Sequence, residues 1–289
     1  REGDRDRPPG ERVKRLEGGS PQTKHARRAA LQASLLPEIE RRESRCDRVI
    51  VAGTEWGEYP DPGAAEIVRG NPSRLLAAAD AAPPAGGWPA VIFMHGFGGN
   101  RESTNTLATS FGLAGQEYAV LTFDARGHGQ SGGLVTVDGP REITDTRAVF
   151  QWLANRPDVD DENIGAWGLS YGGGAALNSL VAGVPWGTVV AVETFSDLYG
   201  ALMPQNLVKS GLVAGLASLI PEAKRDPSLN AVIAAAFAGN GAAVKPWAAA
   251  RSSLAKLGTV TTPVFLAPGR RDFLFGIDQG TQAYLRLRG

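Results

Sequence analysis

The chain has 289 residues, of which 43% are hydrophobic and 21% charged, and its formal net charge is zero. This length suits one large domain with a sizeable core, and the charge balance gives no reason to expect a nucleic acid or a membrane surface as a partner of the whole chain. A single cysteine, Cys46, excludes an internal disulfide, and no apolar run approaches the roughly 18 residues of a membrane-spanning helix.

Residues 1–48 hold 13 of the 30 Lys and Arg residues and 9 of the 30 Asp and Glu residues. This composition predicts a charged arm that is mostly disordered. A basic arm for an acidic partner is the alternative, although acids are interspersed throughout. No signal peptide is visible, so the compartment stays open with the cytoplasm as the default. The chain starts at Arg1 rather than methionine, and we expect both ends to be boundaries of a fragment.

Residues 49–289 are predicted to form one α/β domain with a doubly wound, mostly parallel sheet. Weak strand patterns (Arg48–Ala52, Ala65–Val68) come first, and from Pro89 onward buried apolar runs alternate with helical patterns. The predicted strands are Ala90–Met94, Ala119–Phe123, Ile164–Trp167, Val189–Val192 and Val264–Ala267. The predicted helices between them include Ser103–Gly115, capped by Ser103 or Asn100, and Arg141–Leu153. Ligands bind such sheets beyond the carboxyl ends of the strands, so the residues there carry the functional predictions.

About 70 residues separate Val192 from Pro263, too many for one crossover helix. Two Ala- and Leu-rich stretches, Leu207–Ile220 and Leu229–Phe237, have helical patterns. We therefore expect a helical cap inserted at about residues 198–258. Ordinary crossover helices with long loops are the alternative.

The sequence G-x-S-x-G occurs at Gly168–Gly172, between a predicted strand and a helix-compatible run. Serine on a sharp strand-to-helix turn is exposed at the edge of the sheet above a helix N-terminus, as a nucleophile requires. Gly168 and Gly172 are needed because side chains there would clash with the turn and the packed helix. Ser170 is therefore the predicted nucleophile.

A glycine-rich turn, His95–Asn100, follows the first regular strand. Such a turn can aim a backbone N–H at a developing oxyanion, and the residue after the nucleophile can supply a second. Phe97 and Tyr171 are the predicted donors. A simple tight turn is the alternative.

Asp272 follows the last predicted strand in Gly269–Phe275. A carboxylate there can orient a histidine and stabilise its charged form. An aspartate that merely caps a helix is the alternative. Glu193 and Asp197, after the preceding strand, are the alternative acids.

These motifs together resemble the α/β-hydrolase family, and they occur in the family's order: His95–Gly99, Asp124–Ser131, Gly168–Gly173 and Gly269–Asp272. The Trp152-Leu153 helix and Ser196–Tyr199 resemble more narrowly the X-prolyl dipeptidyl-peptidase and cocaine-esterase group. Such relatives place a tyrosine hydroxyl in the oxyanion hole, whereas this chain offers Gly96-Phe97-Gly98, which favours a simpler esterase-like or lipase-like hole. The resemblance implies a Ser–acid–His triad in that chain order.

The three histidines, His25, His95 and His128, all precede Ser170, and only 17 residues follow Asp272. The family places its base on a loop after one further strand, so we expect the base and the last strand to have been lost by carboxy-terminal truncation. Two alternatives stay open. His128 or His95 serves as a substitute base, or the chain is a non-catalytic binding relative.

The predicted reaction is hydrolysis of a carboxylic ester through an acyl-serine, with an X-Pro dipeptidyl-peptidase as the alternative enzyme. The apolar cap, Leu212–Ile220 especially, favours hydrophobic acyl or alcohol groups, unless those residues only pack the core. No metal or organic cofactor is expected, because the sequence has neither a ligand cluster nor a dinucleotide-binding motif. The expected partner is a small ester or a short peptide, and the oligomeric state stays open.

Overall fold

A computed structural model describes residues 50–51, 83–111 and 118–289. The predictions for the arm at residues 1–48 and for a strand at Ala65–Val68 lie outside this part of the chain. Within residues 83–111 and 118–289, none of the helices combines the length and the hydropathy needed to cross a bilayer.

Six strands form one sheet in the order β1-β3-β2-β4-β5-β6. Strands β2 to β6 are parallel, and β1 pairs antiparallel with β3. The strands are β1 (Ile50–Val51), β2 (Trp88–Met94), β3 (Ala119–Asp124), β4 (Val159–Leu169), β5 (Thr188–Val192) and β6 (Val264–Ala267). The predicted α/β class and mostly parallel sheet are confirmed.

Eight α-helices accompany the sheet in the described residues, joined by short 3₁₀ turns. They are α1 (Arg101–Ser110), α2 (Pro140–Ala154), α3 (Tyr171–Val181), α4 (Leu198–Leu202), α5 (Ser210–Ser218), α6 (Pro227–Phe237), α7 (Gly241–Ala249) and α8 (Ile277–Arg288). The four helices α4–α7, termed the cap helices below, lie between β5 and β6 in the chain and fall within the segment predicted as a cap.

Helices cover both faces of the sheet, as the term doubly wound requires. On one face, Ile92 and Leu121 belong to the main core together with Leu177 of α3. On the other face, Phe93 and Val120 pack with Ala108 of α1. Because both faces are buried, the central strands are continuous apolar runs rather than alternating ones.

Several predicted boundaries are wrong. Helix α1 starts at Arg101, before the predicted Ser103, because the side chain of Asn100 accepts hydrogen bonds from the N–H groups of Glu102 (3.1 Å) and Ser103 (3.2 Å) and thereby caps the helix. Strand β4 begins at Val159, five residues before the predicted start, because Val159 pairs with Trp88 of β2. Helices α4, α7 and α8 were not predicted.

Candidate active site

Ser170 lies on a sharp turn between β4 and α3. Its backbone has φ 57° and ψ −119°, in a region that residues with a side chain rarely adopt. Its N–H donates to the carbonyl of Val192 (2.9 Å), and its carbonyl accepts from the hydroxyl of Thr194 (2.6 Å). The neighbouring strand β5 therefore holds the strained turn, and the positive end of the α3 dipole lies next to the serine.

Gly168 and Gly172 flank Ser170 in this turn, which is termed the elbow below, and the backbone approaches both of them closely. A Cβ atom on Gly168 would collide with the carbonyl oxygen of Gly172, and one on Gly172 would collide with the carbonyl oxygen of Met94. Only hydrogen in place of a side chain lets α3 pack this closely against β2 and β4.

The glycine-rich turn after β2 lies beside Ser170. A Cβ atom built on Gly96 would be 3.8 Å from the Cβ atom of Ser170. Tyr171 is the first residue of α3, so its N–H has no acceptor within the helix. Among the described residues no backbone acceptor takes the N–H of Phe97, and the rings of Phe97 and Tyr171 meet edge-on with their centroids 5.5 Å apart. Their role as oxyanion donors stays a prediction.

Asp272 lies on the loop after β6, two strands away from β4, at the same carboxyl edge as Ser170. The carboxylate is half-buried. Its Oδ1 atom accepts hydrogen bonds from the N–H groups of Leu274 (2.8 Å) and Phe275 (3.0 Å). These bonds fix the orientation of the carboxylate. Among the described residues the Oδ2 atom accepts no hydrogen bond, so it is available to accept one from a histidine.

The two alternative acids have different surroundings. Glu193 is exposed and has φ 43°, and a Cβ atom built on Gly269 would lie 2.9 Å from its Oε1 atom, so it approaches the loop that carries Asp272. Asp197 caps α4, because its Oδ1 atom accepts the N–H of Tyr199 (3.1 Å). The capping geometry gives Asp197 a structural explanation.

Two histidines lie in or next to the glycine-rich turn after β2, whereas His25 is outside the described residues. His95 is buried and uses both ring nitrogens: Nδ1 donates to the carbonyl of Gly96 (2.8 Å), and Nε2 accepts the N–H of Ala125 (2.9 Å). Burial lowers the pKa of His95. His128 is also buried, its ring centroid is 4.9 Å from that of His95, and burial followed by repulsion from His95 lowers its pKa to about 3. Both imidazoles are therefore neutral at pH 7.

A cavity of about 120 Å³ opens beside Ser170. Phe97 and Tyr171 line it on the side of the sheet, and α4, α5, α6 and α7 all contribute lining residues. The serine therefore faces a space enclosed by the cap helices.

A model of the X-Pro dipeptidyl-peptidase (S15) family matches residues 75–289, which is 215 of the 289 residues. The chain belongs to this family. The match includes Ser170, Asp272 and the cap helices, and the resemblance to the X-prolyl peptidase group inferred from the sequence is confirmed.

Curated proteins similar to this S15 family member match it over part of their length. A quorum-quenching protein of Acinetobacter baumannii is 28% identical over 131 residues, which is 45% of this chain and 43% of that protein. An uncharacterised 31.7 kDa protein of Escherichia coli is 33% identical over 115 residues, or 38% of each chain. The matched region thus spans about two fifths of the length of these relatives.

Solved structures share the fold. An esterase of Pyrococcus furiosus is 26% identical with a TM-score of 0.50 and covers 70% of this chain and 69% of its own. An acetyl xylan esterase from Paenibacillus is 17% identical with a TM-score of 0.52, covering 73% of this chain and 68% of its own, and shows the fold alone. Together with the family match, the similarity to the Pyrococcus esterase places the chain in the α/β-hydrolase superfamily.

A buried polar cluster behind Tyr171 escaped the sequence predictions for this S15 family member. Asp138 is 0% exposed, and neither carboxyl oxygen has a hydrogen-bond partner among the described residues. Burial, and then the nearby carboxylate of Glu142, raise the pKa of Asp138 well above its ordinary value, although Arg251 opposes this. Asp138 precedes Gly139 and Pro140, a pattern typical of a turn or helix start, so the sequence carried no signal that its carboxyl group would be buried.

Among the described residues no group of three or more His, Cys, Asp and Glu side chains could hold a metal ion.

Proposed function

We propose that this chain is a serine hydrolase that cleaves carboxylic esters through an acyl-serine intermediate. Ser170 is the nucleophile, the N–H groups of Phe97 and Tyr171 bind the oxyanion, and Asp272 is the acid that orients a histidine base. The proposal is supported above all by the strained backbone of Ser170 at a helix N-terminus, facing an apolar cavity.

The reaction proceeds in two steps. The Oγ atom of Ser170 attacks the acyl carbon, and the alcohol leaves with the proton that the serine gave up. Water then attacks the acyl-serine, which releases the carboxylic acid and restores the hydroxyl. Both tetrahedral intermediates place negative charge on the former carbonyl oxygen, where two fixed N–H donors stabilise it most.

The general base is the open part of this chemistry, because no histidine follows Ser170 in the sequence. His95 uses both ring nitrogens, and the pKa of His128 near 3 makes it a weak proton acceptor at pH 7. A site with oxyanion donors but no base retains part of its rate enhancement. We therefore expect slow turnover from this chain.

The main test is labelling of Ser170 by a fluorophosphonate, with and without added imidazole. We expect stoichiometric labelling that imidazole accelerates and that Ser170→Ala abolishes. Ser218→Ala, which removes an exposed hydroxyl on α5, is the matched control and should label normally. Absence of labelling in the wild type at saturating imidazole would favour a non-catalytic binding protein.

An X-Pro dipeptidyl-peptidase is the second candidate, because the family to which the chain belongs carries that name. Such an enzyme needs an acidic group to fix the α-ammonium of the peptide. Among the described residues no carboxylate lines the cavity beside Ser170, and the one charged residue that does is Arg225. The lining therefore favours an uncharged ester. Faster turnover of an Ala-Pro p-nitroanilide than of a p-nitrophenyl ester would reverse this preference.

A further inference from the structure

The cavity beside Ser170 has two walls of different origin. The wall on the side of the sheet is aromatic and consists of Phe97, Tyr171, Phe195 and Phe275. The opposite wall comes from the cap helices and includes Met203, Ala236 and Val244, which form one buried cluster. A group attached to the acyl carbon at Ser170 would therefore extend between the aromatic wall and this cluster.

The lining is suited to an uncharged group. Arg225 is the one charged side chain among the lining residues that the structure describes, and its guanidinium makes hydrogen bonds within the chain. Its Nε atom donates to the carbonyl of Ile220 (3.0 Å), and its Nη2 atom donates to the carbonyl of Ala217 (2.7 Å). These bonds satisfy carbonyls at and just after the carboxyl end of α5. The arginine therefore caps the C-terminus of the helix rather than binding an anion.

The volume of the cavity limits the size of its occupant. At about 120 Å³ it is somewhat smaller than the engineered apolar cavity of about 150 Å³ that binds benzene. We infer that the cavity is an acyl pocket for one compact, uncharged apolar group of about the size of a single benzene ring, such as a phenyl or a short branched alkyl group. This inference rests on the proposed function, because Ser170 forms part of the wall.

Two buried lining residues of the cap differ in size: Ala236 of α6, and Met203, which precedes the first 3₁₀ turn. Ala236 of α6 is 8% exposed and Met203 is 1% exposed. A small residue at Ala236 leaves space that a larger side chain would fill. An unbranched, flexible residue at Met203 limits the depth, and its truncation would extend the pocket. The two positions therefore permit opposite changes in size.

Binding of toluene tests the pocket without requiring turnover. We expect toluene to raise the melting temperature of the wild type, whereas benzylammonium and benzoate leave it unchanged because neither charge finds a partner. Ala236→Leu should weaken toluene binding by at least about tenfold, equivalent to about 1.4 kcal/mol. Ala231→Leu, on the exposed face of the same helix, is the matched control and should bind toluene as the wild type does.

Met203→Ala provides a change in the opposite direction, which a general loss of stability would not reproduce. We expect this variant to bind naphthalene, which the wild type excludes. Equal binding of toluene by the wild type and Ala236→Leu, or binding of benzylammonium as tight as that of toluene, would overturn the inference. Toluene binding that responds to Ala236→Leu in a protein whose Ser170 resists fluorophosphonate would leave the pocket assigned and refute the proposed function instead.

Discussion

At the scale of single residues, the candidate site depends on a backbone conformation that costs free energy. A residue with a side chain held at positive φ costs of the order of 1–3 kcal/mol, which the surrounding structure must offset. At Ser170 the offset comes from hydrogen bonds to Val192 and Thr194 and from the close packing of α3 against β2. The packing is possible only because Gly168 and Gly172 lack side chains.

We predict that Gly172→Ala disrupts the elbow. The added methyl group would collide with the carbonyl oxygen of Met94 and lie 2.8 Å from that of His95, both of them backbone atoms that cannot rotate away. The free energy of unfolding should fall by about 1–3 kcal/mol, as overpacking usually costs. Labelling of Ser170 by fluorophosphonate should be lost. Guanidinium titration and the labelling assay measure the two effects.

Gly211→Ala is the matched control. Gly211 lies in α5, and a Cβ atom there would have no atom within 4 Å. Replacing a glycine inside a helix with alanine should raise the free energy of unfolding by roughly 0.5–1 kcal/mol. If both variants proved equally stable and equally reactive, close packing at the elbow would not be the reason for Gly172.

At the scale of elements, a buried ion pair joins the loop after β3 to α2. The guanidinium of Arg126 donates from Nε (2.7 Å) and Nη2 (2.8 Å) to the two carboxylate oxygens of Asp145. The two side chains are 1% and 3% exposed. This loop also carries His128, so the pair positions the helix that precedes β4 against residues that surround Ser170.

We predict that Arg126→Gln lowers the free energy of unfolding by about 3–5 kcal/mol, because it leaves the carboxylate of Asp145 buried without its cationic partner. The double variant Arg126→Gln/Asp145→Asn should lose less, since no buried charge is left over. Arg156→Gln, which breaks a more exposed pair with Asp158, is the control and should cost about 1 kcal/mol or less. A similar loss from the two single arginine variants would contradict the role of burial.

The central strands and the elbow could be predicted from the sequence because each depends on local pattern. A strand covered on both faces is a continuous apolar run, and β3, which is buried along its whole length, was predicted to within one residue. The acidic start of β4 includes Asp160, Asp161 and Glu162, which lie in an irregularity of the pairing with β2 between Val159 and Ile164. No local pattern indicates this part of the strand.

The cap could be predicted only in outline. Helix α7 contains Pro246, which reads as a helix breaker, yet Val244 and Ala248 are buried and packing overrides the local preference. Helix α4 has five residues, too few for a helical period to show. The cavity depends on how four separate helices are placed relative to Ser170. No pattern along the chain indicates that placement.

At the scale of the whole molecule, folding holds three titratable side chains in their neutral forms. His95 and His128 are buried in or beside the glycine-rich turn after β2, and burial is the largest cause that lowers the pKa of each. Asp138 is buried near Tyr171 and has a raised pKa. Since these shifts exist only in the folded state, they couple the stability of the protein to pH.

The two kinds of group act in opposite directions. As pH falls from 6.5 towards 3, the unfolded chain protonates the residue at position 128 while folded His128, with its pKa of about 3, stays neutral. The free energy of unfolding therefore falls with decreasing pH, by up to about 1.4 kcal/mol per pH unit. As pH rises above 3.8, the unfolded chain loses the proton of Asp138 while the folded protein keeps it. The free energy of unfolding then falls with increasing pH, until the raised pKa is passed.

We predict that two neutral substitutions separate these effects in guanidinium titrations between pH 4 and pH 9. His128→Asn keeps a donor for the carbonyl of Arg126 that His128 contacts at 3.0 Å, cannot titrate, and should lose part of the decline below pH 6.5. Asp138→Asn should gain stability relative to the wild type as pH rises above 4, until the raised pKa of Asp138 is passed, because it no longer retains a proton that the unfolded chain releases. Between pH 4 and pH 6.5 the slope from the two histidines opposes the slope from Asp138, so the free energy of unfolding of Asp138→Asn should vary more steeply with pH there than that of the wild type. If the free energy of unfolding of the wild type exceeded that of Asp138→Asn by an amount that grows with pH, Asp138 would be ionised in the folded protein.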